Sequence, residues 1–234
     1  MKRSRIDKIL WWIIAALAAV DVAIIVAGFL VHVEGHSDEV CYSAWVSWDY
    51  ASEIRDGVFY IPLAWKGDTV FPLRTQNSGN WKVSVADTEY GKMLKLEVNR
   101  TDNENVSFHI FLCIKTSEPI DTLNPFDEWI LKPKYNVTVD PDCPLEIRCY
   151  RYYSLIYAKY NATGNISVGV SIDAYNRSWE NVWWYKRWCT KTYDDDIRVY
   201  LPKNWSGWLK AEGSLRAGRW LSGIAMGVVA GGER

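Results

Sequence analysis

The chain has 234 residues, 27 Lys and Arg against 28 Asp and Glu, and a formal net charge of −1, which leaves room for one moderate domain or two small ones beyond any membrane segment. Charges of both signs are mixed along its whole length, so the basic stripe that nucleic-acid binding requires is missing and a nucleic-acid partner is excluded. Aromatic residues make up 15%, with 14 Trp and 14 Tyr against 3 Met, so rigid rings must build much of the core and surface.

Residues 1–8 form a basic tail with Lys2, Arg3, Arg5 and Lys8. Residues 9–33 follow as an apolar stretch, long enough as a helix to cross about 30 Å of hydrocarbon. Basic residues precede it and Glu34, Asp38 and Glu39 follow, so the positive-inside rule places the N-terminus in the cytoplasm and the rest of the chain outside the cell. Trp11 and Trp12 fall where indole rings favour the headgroup layer. A cleaved signal peptide would have an apolar core of about 7–15 residues ending in a small-x-small site. This stretch is longer and no Ala-x-Ala follows it, so the sequence predicts a retained signal-anchor.

Asp21 lies at the middle of that stretch, where a carboxylate costs about 2.5–3.5 kcal/mol. A partner in the membrane would offset the cost, and Ala15, Ala19, Ala23 and Ala27 supply a smooth packing stripe every four residues. A protonated Asp tolerated in a strongly apolar span is the alternative. The partners expected are the bilayer together with a membrane or cell-surface protein, or a second copy of the chain.

Beyond a linker at 34–40, residues 41–212 read as a β-rich domain. Short segments with period-two alternation or dense β-formers recur near 42–50, 58–65, 69–75, 81–87, 93–99, 105–115, 129–139, 147–159, 165–174, 182–189 and 196–201, separated by turn signals such as Lys66-Gly67-Asp68 and Tyr90-Gly91-Lys92. No long amphipathic helical pattern intervenes. The expected fold is an all-β antiparallel sandwich, immunoglobulin-like or jelly-roll, presented by one N-terminal transmembrane helix. A breaker-rich stretch at 117–127 leaves open one sandwich or two.

Asn-x-Ser/Thr occurs at Asn99, Asn105, Asn136, Asn161, Asn165, Asn176 and Asn204, where roughly one or two such triplets would arise by chance. All lie past the apolar stretch and are candidate glycan acceptors. Their phase agrees: Leu94, Leu96 and Val98 share one face while Asn99 belongs to the other, and Asn165 alternates likewise against Ile166, Val168, Val170 and Ile172. The five cysteines, Cys41, Cys113, Cys143, Cys149 and Cys189, also lie beyond it, as disulfides in an oxidising compartment require. Five allow two bridges in 15 arrangements, among which Cys143 and Cys149 are placed to close a small loop.

No phosphate-binding loop, serine elbow or zinc helix is found. His109 reads as a surface histidine. Asp140-Pro141-Asp142 and Asp194-Asp195-Asp196 read as acidic turns; they are the candidates for a carboxylate-pair glycosidase or for holding Ca²⁺, although neither matches a full calcium loop. No other cofactor is expected. Trp183, Trp184, Tyr185, Trp188, Trp205 and Trp208 are candidates for surface recognition of a protein or a carbohydrate. Residues 213–234 form an apolar, Gly-rich C-terminal segment whose apolar run, residues 220–231, is too short to span a bilayer, with Gly223, Gly227 and Gly231 four apart. They suit docking on their own domain, membrane contact or exchange between subunits. The leading expectation is a non-enzymatic cell-surface glycoprotein acting as a structural, adhesion or complex subunit. The alternatives are a carbohydrate-binding module or hydrolase, and an extracellular filament subunit.

Overall fold

The computed structural model describes residues 17–18, 20–21, 35–50, 52–73, 76–101, 106–116, 118–144, 147–182 and 184–225, with backbone alone at 35–37, 76–78, 176–182, 184–191 and 219–225. The chain divides into two compact units, Ser37–Asn176 with Thr190–Ser222, and Met1–His36 with Arg177–Cys189 and Gly223–Arg234. The larger unit is the subject below. The expected anchor falls outside the described residues except for Leu17, Ala18, Val20 and Asp21, which are helical. Among the described residues no helix is long and apolar enough to cross a membrane.

The strands are β1 (Gly35–Trp48), β2 (Ile54–Lys66), β3 (Thr69–Val70), β4 (Gln76–Ser78), β5 (Trp81–Thr88), β6 (Gly91–Arg100), β7 (Ser107–Thr116), β8 (Ile130–Lys132), β9 (Tyr135–Val139), β10 (Ile147–Ala162), β11 (Ile166–Val182), β12 (Trp184–Leu201) and β13 (Ser206–Ala225). They form an all-β antiparallel architecture in the order β4-β5-β6-β2-β10-β13-β12-β11-β1-β7, with β3 and β8 paired to β2 and β9 to β10. Residues 117–127, a breaker-rich stretch, join strands of this one arrangement.

Alternation sets the faces, because successive side chains of a strand point to opposite sides. Ile166, Val168, Val170, Ile172 and Ala174 of β11 are buried, as are Leu94, Leu96 and Val98 of β6, while Asn99 and Asn165 are exposed. β13 differs from expectation, since no strand was read between 201 and 213. Its inward positions are Leu209, Ala211, Gly213, Leu215 and Ala217, mostly small, so the apolar half of the alternation is faint.

β5 and β7 stand eight strand spacings apart in this order, about 38 Å if the sheet were flat. Yet the rings of Trp81 and Phe108 stack with centroids 4.5 Å apart, and Trp48 lies 6.3 Å from Trp81. Farther along, the Tyr42 hydroxyl of β1 donates to the Pro62 carbonyl of β2 at 3.0 Å. The sheet therefore curls, and its inner face closes around one apolar core. Cys41 and Cys113, directly opposed on β1 and β7, are joined by a disulfide, and Cys143 with Cys149 by a second.

Trp45 covers Gly169, and Tyr152 covers Gly213 so closely that a methyl group at either glycine would overlap the ring. These two positions need glycine for space. Gly169→Ala is expected to lower the unfolding free energy by about 1–3 kcal/mol, read by chemical denaturation, whereas Gly79→Ala, with open space around it but a positive φ, should show strain without overlap and a smaller loss.

Candidate recognition site

The cross-strand register builds an aromatic row on the outer face. Lys95 of β6 opposes Tyr60 of β2, Tyr60 opposes Tyr157 of β10, and Tyr157 opposes Trp208 of β13. Each is half-buried. Tyr60 and Tyr157 meet edge to face at 5.4 Å, and Tyr157 and Trp208 at 5.3 Å. Tyr60 and Trp208 are two strands apart, about 10 Å, but their centroids are 6.2 Å apart, so the two rings lean together above Tyr157.

Tyr90 belongs to the turn between β5 and β6, three strands away from β13, and still meets Trp208 edge-on at 4.7 Å. That turn therefore reaches over the outer face and makes the row one side of a cleft of about 470 Å³. Val58, Tyr60, Tyr157 and Trp208 line it from the sheet, and Asp87 and Thr88 from the end of β5. Lys95 and Lys159 add cations. Lys95 is 2.8 Å from Glu97, and this hydrogen bond holds the ammonium above the usual lysine range and the Glu97 carboxyl below its own. Desolvation, then the nearby Glu89, raises the Tyr90 hydroxyl, so the phenol stays a neutral donor at physiological pH.

A second cleft of about 550 Å³ beside β9 holds two carboxylates, Asp196 and Glu212, and two guanidiniums, Arg151 and Arg198. The sequon residue Asn136 lines it too.

Asp195, next in sequence to this cleft, points the other way and is fully buried. The Asp194–Asp196 segment, expected as a turn, lies within β12. The Lys134 ammonium stands 2.7 Å from both Asp195 oxygens, the Leu131 amide donates to Oδ2 at 2.7 Å, and the Tyr152 hydroxyl donates to Oδ1. Lys134 also sits 3.3 Å above the Tyr152 ring. Burial pulls Lys134 down to about 8, against the Asp195 charge that raises it; burial, then Asp195, pushes the Tyr152 hydroxyl far up. This is a satisfied internal network pinning the loop before β9 to β12.

The other candidates fall as follows. Asn99, Asn136, Asn161, Asn165 and Asn204 are exposed, with Asn136 and Asn204 in left-handed backbone at φ 51° and 55°. Asn105 lies outside the described residues, and Asn176 is described by backbone alone, as are Trp184, Tyr185, Trp188 and Cys189; Trp183 lies outside. Trp205 packs against the core, its indole N–H donating to the Gly207 carbonyl at 3.1 Å. Of the six aromatic candidates, Trp208 lines the outer-face cleft and Trp205 a smaller one of about 180 Å³ beside Asn161 and Asn204. Tyr60, Tyr90 and Tyr157 were not singled out from sequence, although Tyr60 and Tyr157 occupy the solvent phase of otherwise alternating strands. Asp140 accepts from the Asp142 amide at 3.2 Å and from Arg151 at 2.8 Å, an ordinary acidic turn. His109, itself exposed, bonds the buried Ser43 Oγ at 2.6 Å across the β1–β7 ladder. Among the described residues, the one grouping suited to a metal is Glu39, Cys41 and Cys113, whose sulfurs are joined to each other.

No protein-family model, curated protein or solved structure matches the chain.

Asp195→Asn leaves Lys134 desolvated without its counter-charge and is expected to cost about 3–5 kcal/mol; Lys134→Met combined with Asp195→Leu should recover much of that. Equal stability of Asp195→Asn and the unaltered protein in urea titrations would remove the network from the account.

Proposed function

We propose that the chain is a membrane-anchored cell-surface glycoprotein in which a sandwich-like β ectodomain serves as a non-enzymatic adhesion or complex subunit. The observation that supports this reading is a polarity of the larger unit. Arg55 pairs with both Arg100 and Asn161, the Ala162 amide donates to Asn204, and the Asp49 amide to the Asn165 carbonyl. Four sequon residues, Asn99, Asn161, Asn165 and Asn204, thus gather at one end of the sheet.

The points where this unit continues into the other segments are Ser37, Asn176, Thr190 and Ser222, and strand direction puts all four at the opposite end. Asp38 is ten residues before Trp48 along β1, about 33 Å. The glycan end is therefore the end of this unit remote from those four crossing points. Sugars added there would extend from exposed positions at strand ends and turns, where they displace no core residue. The two disulfides agree with an oxidising exterior.

Protease shaving of intact cells followed by peptide mass spectrometry tests the reading. Peptides from 37–225 should be released from outside with Asn99, Asn161, Asn165 and Asn204 glycosylated, and residues 1–8 should be cut only after lysis. Unmodified asparagines at all four positions, or a tail cleaved on intact cells, would overturn it. If Asp21 meets a partner within the membrane, Asp21→Leu should reduce the detergent-purified complex to a single chain on size-exclusion chromatography.

A further inference from the structure

We propose that the cleft lined by Trp208, Tyr157 and Tyr60, with Tyr90 bracing the Trp208 ring edge-on, is a carbohydrate site for β-linked oligosaccharides of gluco configuration. The inference stands on the outer face of the sheet and does not require the membrane anchor. A sugar of this configuration carries its ring hydroxyls equatorially. Its two faces are therefore C–H surfaces and its rim is a circle of hydroxyls, so a matching site needs flat apolar rings below and polar groups around.

The cleft has both. The strands that carry Tyr60 and Trp208 are about 10 Å apart, but their rings converge to 6.2 Å, so the face they offer is about the width of one sugar ring with room for a second beside it. The aromatic rings are held by one another rather than by the ligand: centroid separations of 4.7–6.2 Å tie all four together. Little side-chain freedom remains to be lost on binding. Thr88, Asp87, Lys95 and Lys159 line the same cleft, offering hydroxyl, carboxylate and ammonium groups for the sugar rim.

A hydrophobic core of another protein is the less fitting occupant. It would bury the Lys95 ammonium and its Glu97 partner, both already half-buried, and a buried ion pair recovers its desolvation cost poorly. A hydroxylated ligand leaves those charges solvated at the rim. The cleft also differs from the one beside β9, where Asp196, Glu212 and two arginines supply charge in place of an aromatic row.

The test is titration of the full chain in detergent with cellotetraose and chitotetraose, read by saturation-transfer NMR and calorimetry, with mannotetraose as the epimeric comparison. Binding of one of the first two is expected, stronger than that of mannotetraose, whose axial hydroxyl interrupts the stacking face. Trp208→Ala should weaken it by at least about tenfold and Trp208→Phe by much less. Phe111→Ala, an exposed ring on β7 outside the cleft, should leave it unchanged. Circular-dichroism melting checks each fold; if Trp208→Ala does not fold, the exposed rim variant Lys159→Ala carries the test and should weaken binding without altering the melt. No binding of either gluco oligosaccharide at millimolar concentration, or equal losses in Trp208→Ala and Phe111→Ala, would overturn the site. Either result leaves the shaving experiment readable, so failure of the ligand and failure of the membrane topology are told apart.

Discussion

The contact on which the molecule most depends is the stack of Trp81 on Phe108. A long, twisted sheet rarely stays open without curling or splitting, and here the two strands brought together are near opposite ends of the pairing order. Because Trp81 also joins a wider aromatic set through Trp48 and Phe59, the seam is a patch of ring contacts rather than a single pair. Its closure is what makes an inside. Without it, Tyr42, Phe71, Leu131 and the small inner residues of β13 would face water, and the offset of conformational entropy by apolar burial would fail.

Closing the sheet creates a difficulty as well as a core. A backbone segment that crosses from β8 to β9 must be held against the inner face, and its polar groups need partners there. Asp195 supplies them: one carboxylate takes the Leu131 amide, the Lys134 ammonium and the Tyr152 hydroxyl. The same Tyr152 ring lies on Gly213 of the next strand. Shape and charge are therefore solved by one side chain, and the cost of burying an ion pair is set against the order it imposes on the loop leading to β9.

Much of this architecture could be read from the residues. Strands such as β6 and β11 alternate strongly, with Leu94-x-Leu96-x-Val98 and Ile166-x-Val168-x-Val170-x-Ile172 inward, and there both element and face follow from period two. β13 escaped because Ala211, Gly213 and Ala217 carry too little apolar signal; the space they leave is filled by large rings from neighbouring strands, as at Gly213, which no local window can show. Asp195 escaped for the opposite reason. Three consecutive aspartates resemble a solvated turn, and only the distant Lys134, 61 positions away, makes one of them a core residue. The recognition cleft was legible by a single residue, Trp208. Its companions come from β2, β10 and the β5–β6 turn, and sequence spacing alone cannot bring four strands into register.

The pairing of β1 with β7 has a mechanical meaning for any load applied along β1. Ten opposed residue pairs run from Asp38 with Thr116 to Ser47 with Ser107, parallel to such a load. Such a load shears the ladder, so its hydrogen bonds resist together instead of opening one after another from an end. The Cys41–Cys113 bond crosses between the two strands three residues in from Asp38 and passes tension covalently to β7. From there it reaches the far side of the core through the Phe108 ring, so such a load would be borne by the seam that closes the sheet.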